Sequence, residues 1–342
     1  MTTSRNLTSA GKVLSDDLHT LNVYFHQWRL RLNVAKTVCS TFHLANRLAK
    51  NCLQVKLDDN YIAFEPKPKY LGITLDRSLT YGPHIKATAA KVQSRCNLLR
   101  RLAGNRWGSS FHVLRTSTLS LCYSVAEYCA PVWSRSSHTH LIDASLHCAM
   151  RLIAGAIRST PVQYLPILSG ILPPDLRRKE SCLKLATRAI NDPTHLLHHL
   201  MTGKSRSQNG RRLHSRHPIS VDLHIQSANI NGDYTSTHQM WDARWQQEIC
   251  RLSQFLPAPS LQPLGCDLPR REWVLLNRLR SGHGRYGAFL LKIGASQNDR
   301  CSCGESQTPA HVDICGEIAM QGNMATVDPD FRAWLSRTNL RL

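Results

Sequence analysis

Apolar residues recur from Leu14 to Leu32 at Leu14, Leu18, Leu21, Phe25 and Trp28, spacings of four and three that trace one face of a helix. Ser15, Asp16 and Asp17 stand at its predicted start, where short polar side chains cap free amides. After a turn at Asn33, TVCSTFHL reads as a strand, and LQVKLDDNYIAFEP as two short strands about an Asp58-Asp59-Asn60 turn. PKYLGITLD reads as one further strand, with Gly72 where a side chain would obstruct a close backbone approach. Beyond Asp76 the period changes. Pro83 opens a helix whose face is Ile85, Ala89, Val92, Cys96 and Leu99, and Gly104 stops it. Further helices are predicted near 111–128, 137–154 and 174–191, the last with Leu176, Leu183 and Ile190 every seven residues. Together these four predict a helical bundle.

Residues 203–237 break the pattern, because GKSRSQNGRRLHSRHP is polar, basic and without apolar period; it reads as a mobile linker or surface loop. PAPSLQP is a second break. Between the two, Trp241, Trp245, Ile249 and Leu252 predict one amphipathic helix. LPRREWVLLNRLRSGHGR predicts another, with Trp273, Leu276 and Leu279 on one face. The predicted fold class is α+β. A small α/β portion covers 1–80, a mainly α-helical bundle 81–202, a basic connecting stretch with one helix 203–268, and a helix with a small Cys/His element 269–342.

Charge changes this picture more than size does. The 342 residues carry 43 Lys plus Arg against 23 Asp plus Glu, a formal net charge of +20, and 31 of the cations are arginine. Such an excess predicts a polyanionic partner, and arginine favours forked contacts to phosphate. At 42% hydrophobic residues the chain can still bury a core. No apolar segment in MTTSRNLTSAGKVLS suggests a secretory leader, so the twelve cysteines are read as reduced thiols, mostly in the core. On that basis the protein is expected inside the cell, with cytoplasm and nucleus both open. There is no run of 18 apolar residues, so no membrane partner is expected.

Two local patterns carry candidate chemistry. Cys301, Cys303, His311 and Cys315 lie within 15 residues, a supply of four soft or borderline ligands of the kind that closes around Zn2+. Gly304 and Pro309 permit the necessary turn. The competing reading is a set of free thiols beside a surface histidine. The second pattern is a span from Arg77 to Ala126 that holds Arg77, Lys86, Lys91, Arg95, Arg100, Arg101, Arg106 and Arg115 and no acidic residue. Solvated helix faces usually mix signs, so this span predicts a surface that tracks phosphates. The competing reading is a solvated face balanced by acids elsewhere in the fold. The pair Asp16-Asp17 is read as capping rather than metal-binding, since it opens a helix. No phosphate-binding loop, nucleophile elbow or HExxH signature occurs.

WRLRLNVAKT, YLGITLDRSLTY, EYCAPVW, LPRREWVLLNRLRSGHGR and CSCGESQTPAHVDIC, in that order, resemble the C-terminal part of reverse transcriptases from jockey-like non-LTR retrotransposons. The resemblance runs from about Leu14 to the last residues. It implies that 1–80 is the remnant of a palm, 81–202 a thumb-like bundle holding template–primer, and the Cys/His element a zinc-knuckle-like module that binds RNA. It further implies that Lys36 lies near the incoming nucleotide and that Tyr70, Leu71 and Gly72 belong to the hairpin gripping the primer end. The family's aromatic-x-Asp-Asp motif is expected upstream of Leu14, where only MTTSRNLTSAGKV stands. The expectation is therefore a truncated or degenerate product, or a partial gene model. It would bind RNA or an RNA–DNA hybrid without polymerising alone. Mg2+ would enter only if the missing palm were supplied, for instance by another reverse-transcriptase chain. The alternatives are a stand-alone RNA- or DNA-binding module and a helical protein-interaction protein. Apolar surface at Phe42, Leu44 and Leu71 is expected to be left exposed.

Overall fold

The computed structural model describes residues 2–202, apart from 3, 5, 44–46, 48–49 and 106, and residues 237–315, apart from 302. The predicted linker as far as Ser236, with Leu44 and Arg106, lies outside the described residues. The chain forms two units. Among the described residues the first takes 2–87 with 132–140, and the second takes the rest.

The first unit is built on helix α1, Leu7–Gln27. Asn6 caps it, its side chain accepting from the Thr8 amide at 2.9 Å. The cap predicted at Ser15 is thus nine residues late. Leu7 and Ala10 extend the apolar face upstream, and Asp16 and Asp17 sit exposed in mid-helix, capping nothing. The helix packs over the segment around Gln54. A Cβ on Gly11 would come within 2.5 Å of the Gln54 carbonyl oxygen, so only glycine allows this approach. Ser15 ties the two together by accepting from the Lys56 amide at 3.0 Å. Ala10, Cys39, Leu53, Val55, Leu57 and Ile62 form the core beneath.

The strands are two residues each. β1 (Val38–Cys39) pairs in parallel with β4 (Ala63–Phe64), and β2 (Lys56–Leu57) pairs antiparallel with β3 (Asn60–Tyr61) around the expected Asp58 turn. Asn22 of α1 donates to Asp58 at 3.0 Å and holds that turn. PKYLGITLD is a hairpin rather than one strand: β5 (Lys69–Tyr70) pairs with β6 (Ile73–Thr74). Leu71 at φ 44° and Gly72 at φ 84° make the two-residue turn, so Gly72 serves a positive φ. Phe42 and Leu71 are exposed, as expected for this unit.

The second unit is helical. Helix α2, Gly82–Leu102, belongs to it from Thr88 onward and buries Ile85, Val92, Cys96 and Leu99 as its period predicts. The next predicted helix is α3 (Phe111–Thr118), continued through a π turn at Leu119–Tyr123 to α4 (Ser124–Ala126). A short α5 (Ala130–Trp133) precedes α6 (His140–Ala154), the predicted third helix. α7 (Tyr164–Ser169) has too few residues to show a period and was not anticipated. α8 (Pro174–Asn191) matches its prediction, and the short α9 (His198–Thr202) follows. The single helix predicted through Trp241 and Leu252 is two, α10 (Thr237–Gln246) and α11 (Arg251–Phe255). Ile249, expected on its apolar face, is fully exposed between them. Both pieces still bury Trp241, Trp245 and Leu252 against Tyr164, Leu168 and Leu176. Three arginines pair with the bundle's acids: Arg177 with Glu127, Arg178 with Asp143, and Arg244 with Asp175.

Helix α12, Arg270–Ser281, closes this unit through the open end of α6. The last carbonyls of a helix lack intrahelical donors and carry partial negative charge. Here Arg270 donates to the Leu152 and Ile153 oxygens, the Trp273 indole to Ile153 at 3.0 Å, Asn277 to Ala154 at 2.8 Å, and Arg278 to Gly155 at 3.1 Å. Gly155 turns the chain away at φ 65°, with Val274 directly against it. A Cβ there would lie 2.3 Å from a Val274 methyl. Gly155→Ala is therefore expected to lower unfolding free energy by about 2 kcal/mol or more, combining left-handed strain with overpacking, as read by a denaturant midpoint.

Candidate metal centre and nucleic-acid interface

The Cys/His element is a hairpin followed by one turn of helix. Arg300 and Ser306 form an antiparallel bridge, and the Cys301 amide donates to Glu305 at 2.8 Å. Gly304 occupies φ 92°, which lets the chain reverse directly after Cys303. Thr308 then caps α13 (Pro309–Ile314) by accepting from the His311 amide at 3.1 Å. The Cys315 amide donates back to His311, which sets both side chains on one end of that helix.

Four ligand atoms converge as a result. Cys301 and Cys315 sulfurs lie 3.8 Å apart, Cys315 and Cys303 3.7 Å apart, and Cys303 Sγ is 3.2 Å from His311 Nε2. All four atoms fall within 4.8 Å of one another. A tetrahedral ion with bonds of about 2.3 Å to sulfur needs sulfur–sulfur edges of about 3.8 Å. The cluster can therefore hold a soft divalent cation. Cys301 is buried and Cys303 exposed, so the site would sit at the surface with one wall in the core. The other cysteines behave differently. Cys96, hydrogen-bonded to Cys122 at 3.9 Å and fully buried, has its thiol pushed up to about 12. None of the twelve forms a disulfide. A second group, His112, Cys266 and Asp267, offers three ligand atoms. The 2.8 Å His112–Asp267 pair accounts for it as a surface contact.

The basic residues of the acid-free span divide by environment. Lys86, Lys91 and Arg101 are exposed and form no ion pair among the described residues. Arg100 is exposed but donates to Asn97 and to Cys148 Sγ. Arg95 donates to the Leu121 carbonyl, Arg115 to the Gly170 carbonyl at 3.1 Å, and Arg77 lies over the Phe64 ring at 5.4 Å. Burial pushes the Arg115 guanidinium down, with Arg177 adding to the effect. These three are thus partly structural, a role that spacing could not show. Arg106 lies outside the described residues. In the first unit, Lys36 ends the turn Val34–Lys36 and is exposed, while Tyr70 and Leu71 stand exposed on the tip of the β5–β6 hairpin.

Sequence reasoning missed the buried arginines of α12. Arg270 is pushed down to about 10 by burial and the neighbouring Arg278, and Arg280 to about 9 by complete burial. Their only signal was a high arginine count inside an apolar helix.

No family model matches the chain, and no solved structure matches it. Curated proteins do. The chain is 34% identical over 125 residues to the probable RNA-directed DNA polymerase from transposon BS of Drosophila melanogaster, covering 36% of this chain and 13% of that one. It is 26% identical over 335 residues to the retrovirus-related Pol polyprotein from type-1 retrotransposable element R1 of Bradysia coprophila, covering 87% of this chain and 30% of the relative. The RNA-directed DNA polymerase from mobile element jockey, of Drosophila melanogaster, is 35% identical over 85 residues, 25% of this chain and 9% of that one. The chain thus spans less than a third of the length of each of these relatives. Its homologues are RNA-directed DNA polymerases and Pol polyproteins of R1 and jockey non-LTR retrotransposons, and together they cover most of the chain. That homology favours the polymerase family over a helical protein-interaction protein. No helix among the described residues is long and apolar enough to cross a membrane.

If the four ligands act together, native mass spectrometry of the purified chain should show one bound divalent metal, and Cys303→Ser should lose most of it. Equal metal content in the two would contradict the tetrahedral arrangement.

Proposed function

We propose that this chain is the part of a retrotransposon RNA-directed DNA polymerase that grips template–primer, RNA or RNA–DNA hybrid, and that it does not extend a primer by itself. The observation carrying this reading is the acid-free span, folded into helices that leave Lys86, Lys91 and Arg101 exposed and unpaired among the described residues. Cations without acidic neighbours attract a phosphate backbone whatever its sequence. The homology to polymerases of mobile elements supports the same partner.

In this reading residues up to about 80 are palm, and Tyr70, Leu71 and Gly72 grip the primer end. An exposed two-residue turn with an aromatic side chain can press on a sugar or base without wrapping it. Lys36 offsets charge near the incoming nucleotide. The helices from Gly82 onward act as thumb. Arg77, Arg95, Arg100, Arg101 and Arg115 assist in holding the backbone. Zn2+ held by Cys301, Cys303, His311 and Cys315 stabilises the C-terminal knuckle and keeps its exposed edge in one shape for RNA. The polymerase step needs carboxylates holding two Mg2+ ions, and no three carboxylates converge among the described residues. Those acids would come from a palm beyond these residues or on another reverse-transcriptase chain.

The test uses the purified chain and an RNA–DNA hybrid. Retention should fall steeply with salt, and Lys86→Ala/Lys91→Ala/Arg101→Ala should flatten the log–log slope by roughly 2 to 3. Zinc removal by a chelator should weaken RNA retention without unfolding the helical unit. Primer extension with Mg2+ should give no product. Salt-insensitive binding or robust incorporation would each overturn the corresponding part.

A further inference from the structure

A cleft of about 820 Å3 opens in the helical unit, between the ends of α2 and α6 and the segment that follows α12. Six arginines line it: Arg100, Arg151, Arg158, Arg270, Arg278 and Arg285. Among the described residues no aspartate or glutamate does. Three of the six are occupied, since Arg270 and Arg278 hold the end of α6 and Arg100 donates to Asn97 and Cys148 Sγ. The others face the opening with little to neutralise them. Arg158 and Arg285 are exposed and form no ion pair among the described residues. Arg151 donates to the Thr160 carbonyl at 3.1 Å, yet its Nε is buried without a hydrogen-bond partner. Burial pushes the Arg151 and Arg278 guanidiniums down, and the charges of Arg158 and Arg285 add to this.

Like charges gathered around a concave site, with a donor left over, suit an anionic ligand. Guanidinium forks match phosphate oxygens in pairs. The opposite wall is apolar, with Phe289, Leu290 and Ile293, and the Phe289 ring is only partly buried. The volume lies within the roughly 300–1,000 Å3 of a site for one small ligand. Arginine beside a partly exposed aromatic ring is a combination that can hold an unpaired nucleotide, phosphate on one side and base stacked on the other.

We propose that this cleft seats a nucleotide of a single nucleic-acid strand, with Arg151, Arg158 and Arg285 on its phosphates and Phe289 against its base. The site shares Arg100 with α2 but not Lys86, Lys91 or Arg101, and the inference rests on the reading of the chain as a nucleic-acid binder. It implies that the protein holds a strand end or an unpaired stretch next to the duplex it grips.

The test measures binding of the full chain to a labelled single-stranded oligouridylate and, in parallel, to an RNA–DNA hybrid. Arg158→Ala/Arg285→Ala should flatten the salt slope for the single strand by about 1.4, at roughly 0.7 per lost phosphate contact. Phe289→Ala should weaken single-strand binding roughly 5- to 150-fold at an unchanged slope. Phe289→Leu, which keeps the apolar volume, should reproduce the loss if stacking is its cause. Thermal melts establish that each variant is folded. Wild-type affinity for the single strand in both the arginine pair and Phe289→Leu would overturn the cleft. If the hybrid still binds in that case, the proposed function stands without it. If the unaltered chain retains neither probe at low salt, both fall. Preferential binding of a phosphopeptide over oligouridylate would also overturn the proposal.

Discussion

The helical unit depends on the closure of one helix end. The carbonyls of Leu152, Ile153, Ala154 and Gly155 would otherwise be orphaned inside the protein, and an unsatisfied buried carbonyl costs about 1–3 kcal/mol. Helix α12 supplies two guanidiniums, an indole and an amide to them. Cationic donors also suit the negative end of a helix. The same contact explains why α12 can bury Arg270 and Arg278 without a carboxylate partner. Oxygen atoms of the backbone take the place of the counter-ion. Arg280 goes further: it is fully buried, donates to the Leu264 carbonyl at 2.9 Å and to Asn277, and lies over the Trp273 ring at 5.0 Å.

This closure also shapes what faces solvent. Arg270 and Arg278 form the floor of the arginine cleft while their donors point into the helix end. Their charge is fixed by the packing and cannot be withdrawn by a side-chain movement. Arg151, on the last turn of α6, is brought to the same place because its helix ends there. A structural solution for one helix terminus thus becomes an electrostatic feature of the surface. The Cys/His element uses a different device, a reversal at Gly304 and a one-turn helix, to bring four ligand atoms together without a core of its own.

The acidic residues follow the same logic from the other side. Glu127, Asp143 and Asp175 each pair with an arginine of the helical unit. Such pairs satisfy buried charge and orient helices, but their net stabilisation is small where they are exposed, as for Arg244 and Asp175. With those acids engaged, the exposed cations of α2 and of the cleft remain uncompensated.

The helices long enough to repeat their apolar period were legible in the chain, α2 and α8 above all, because burial of one face dictates spacing whatever the partner. The convergence of Cys301, Cys303, His311 and Cys315 was legible for a related reason: the four are neighbours in sequence, so local turns suffice to assemble them. Three things were decided only in three dimensions. The start of α1 moved to Asn6 because the segment at Gln54, distant in sequence, accepts Gly11 against it. The split at Ile249 followed from where Trp245 and Leu252 find their shared core. Arg270 and Arg278 became caps because the helix end they satisfy lies more than a hundred residues earlier. A run of arginines shows its charge in the sequence. Whether each cation meets a carbonyl, a carboxylate or water depends on which distant groups the fold sets beside it.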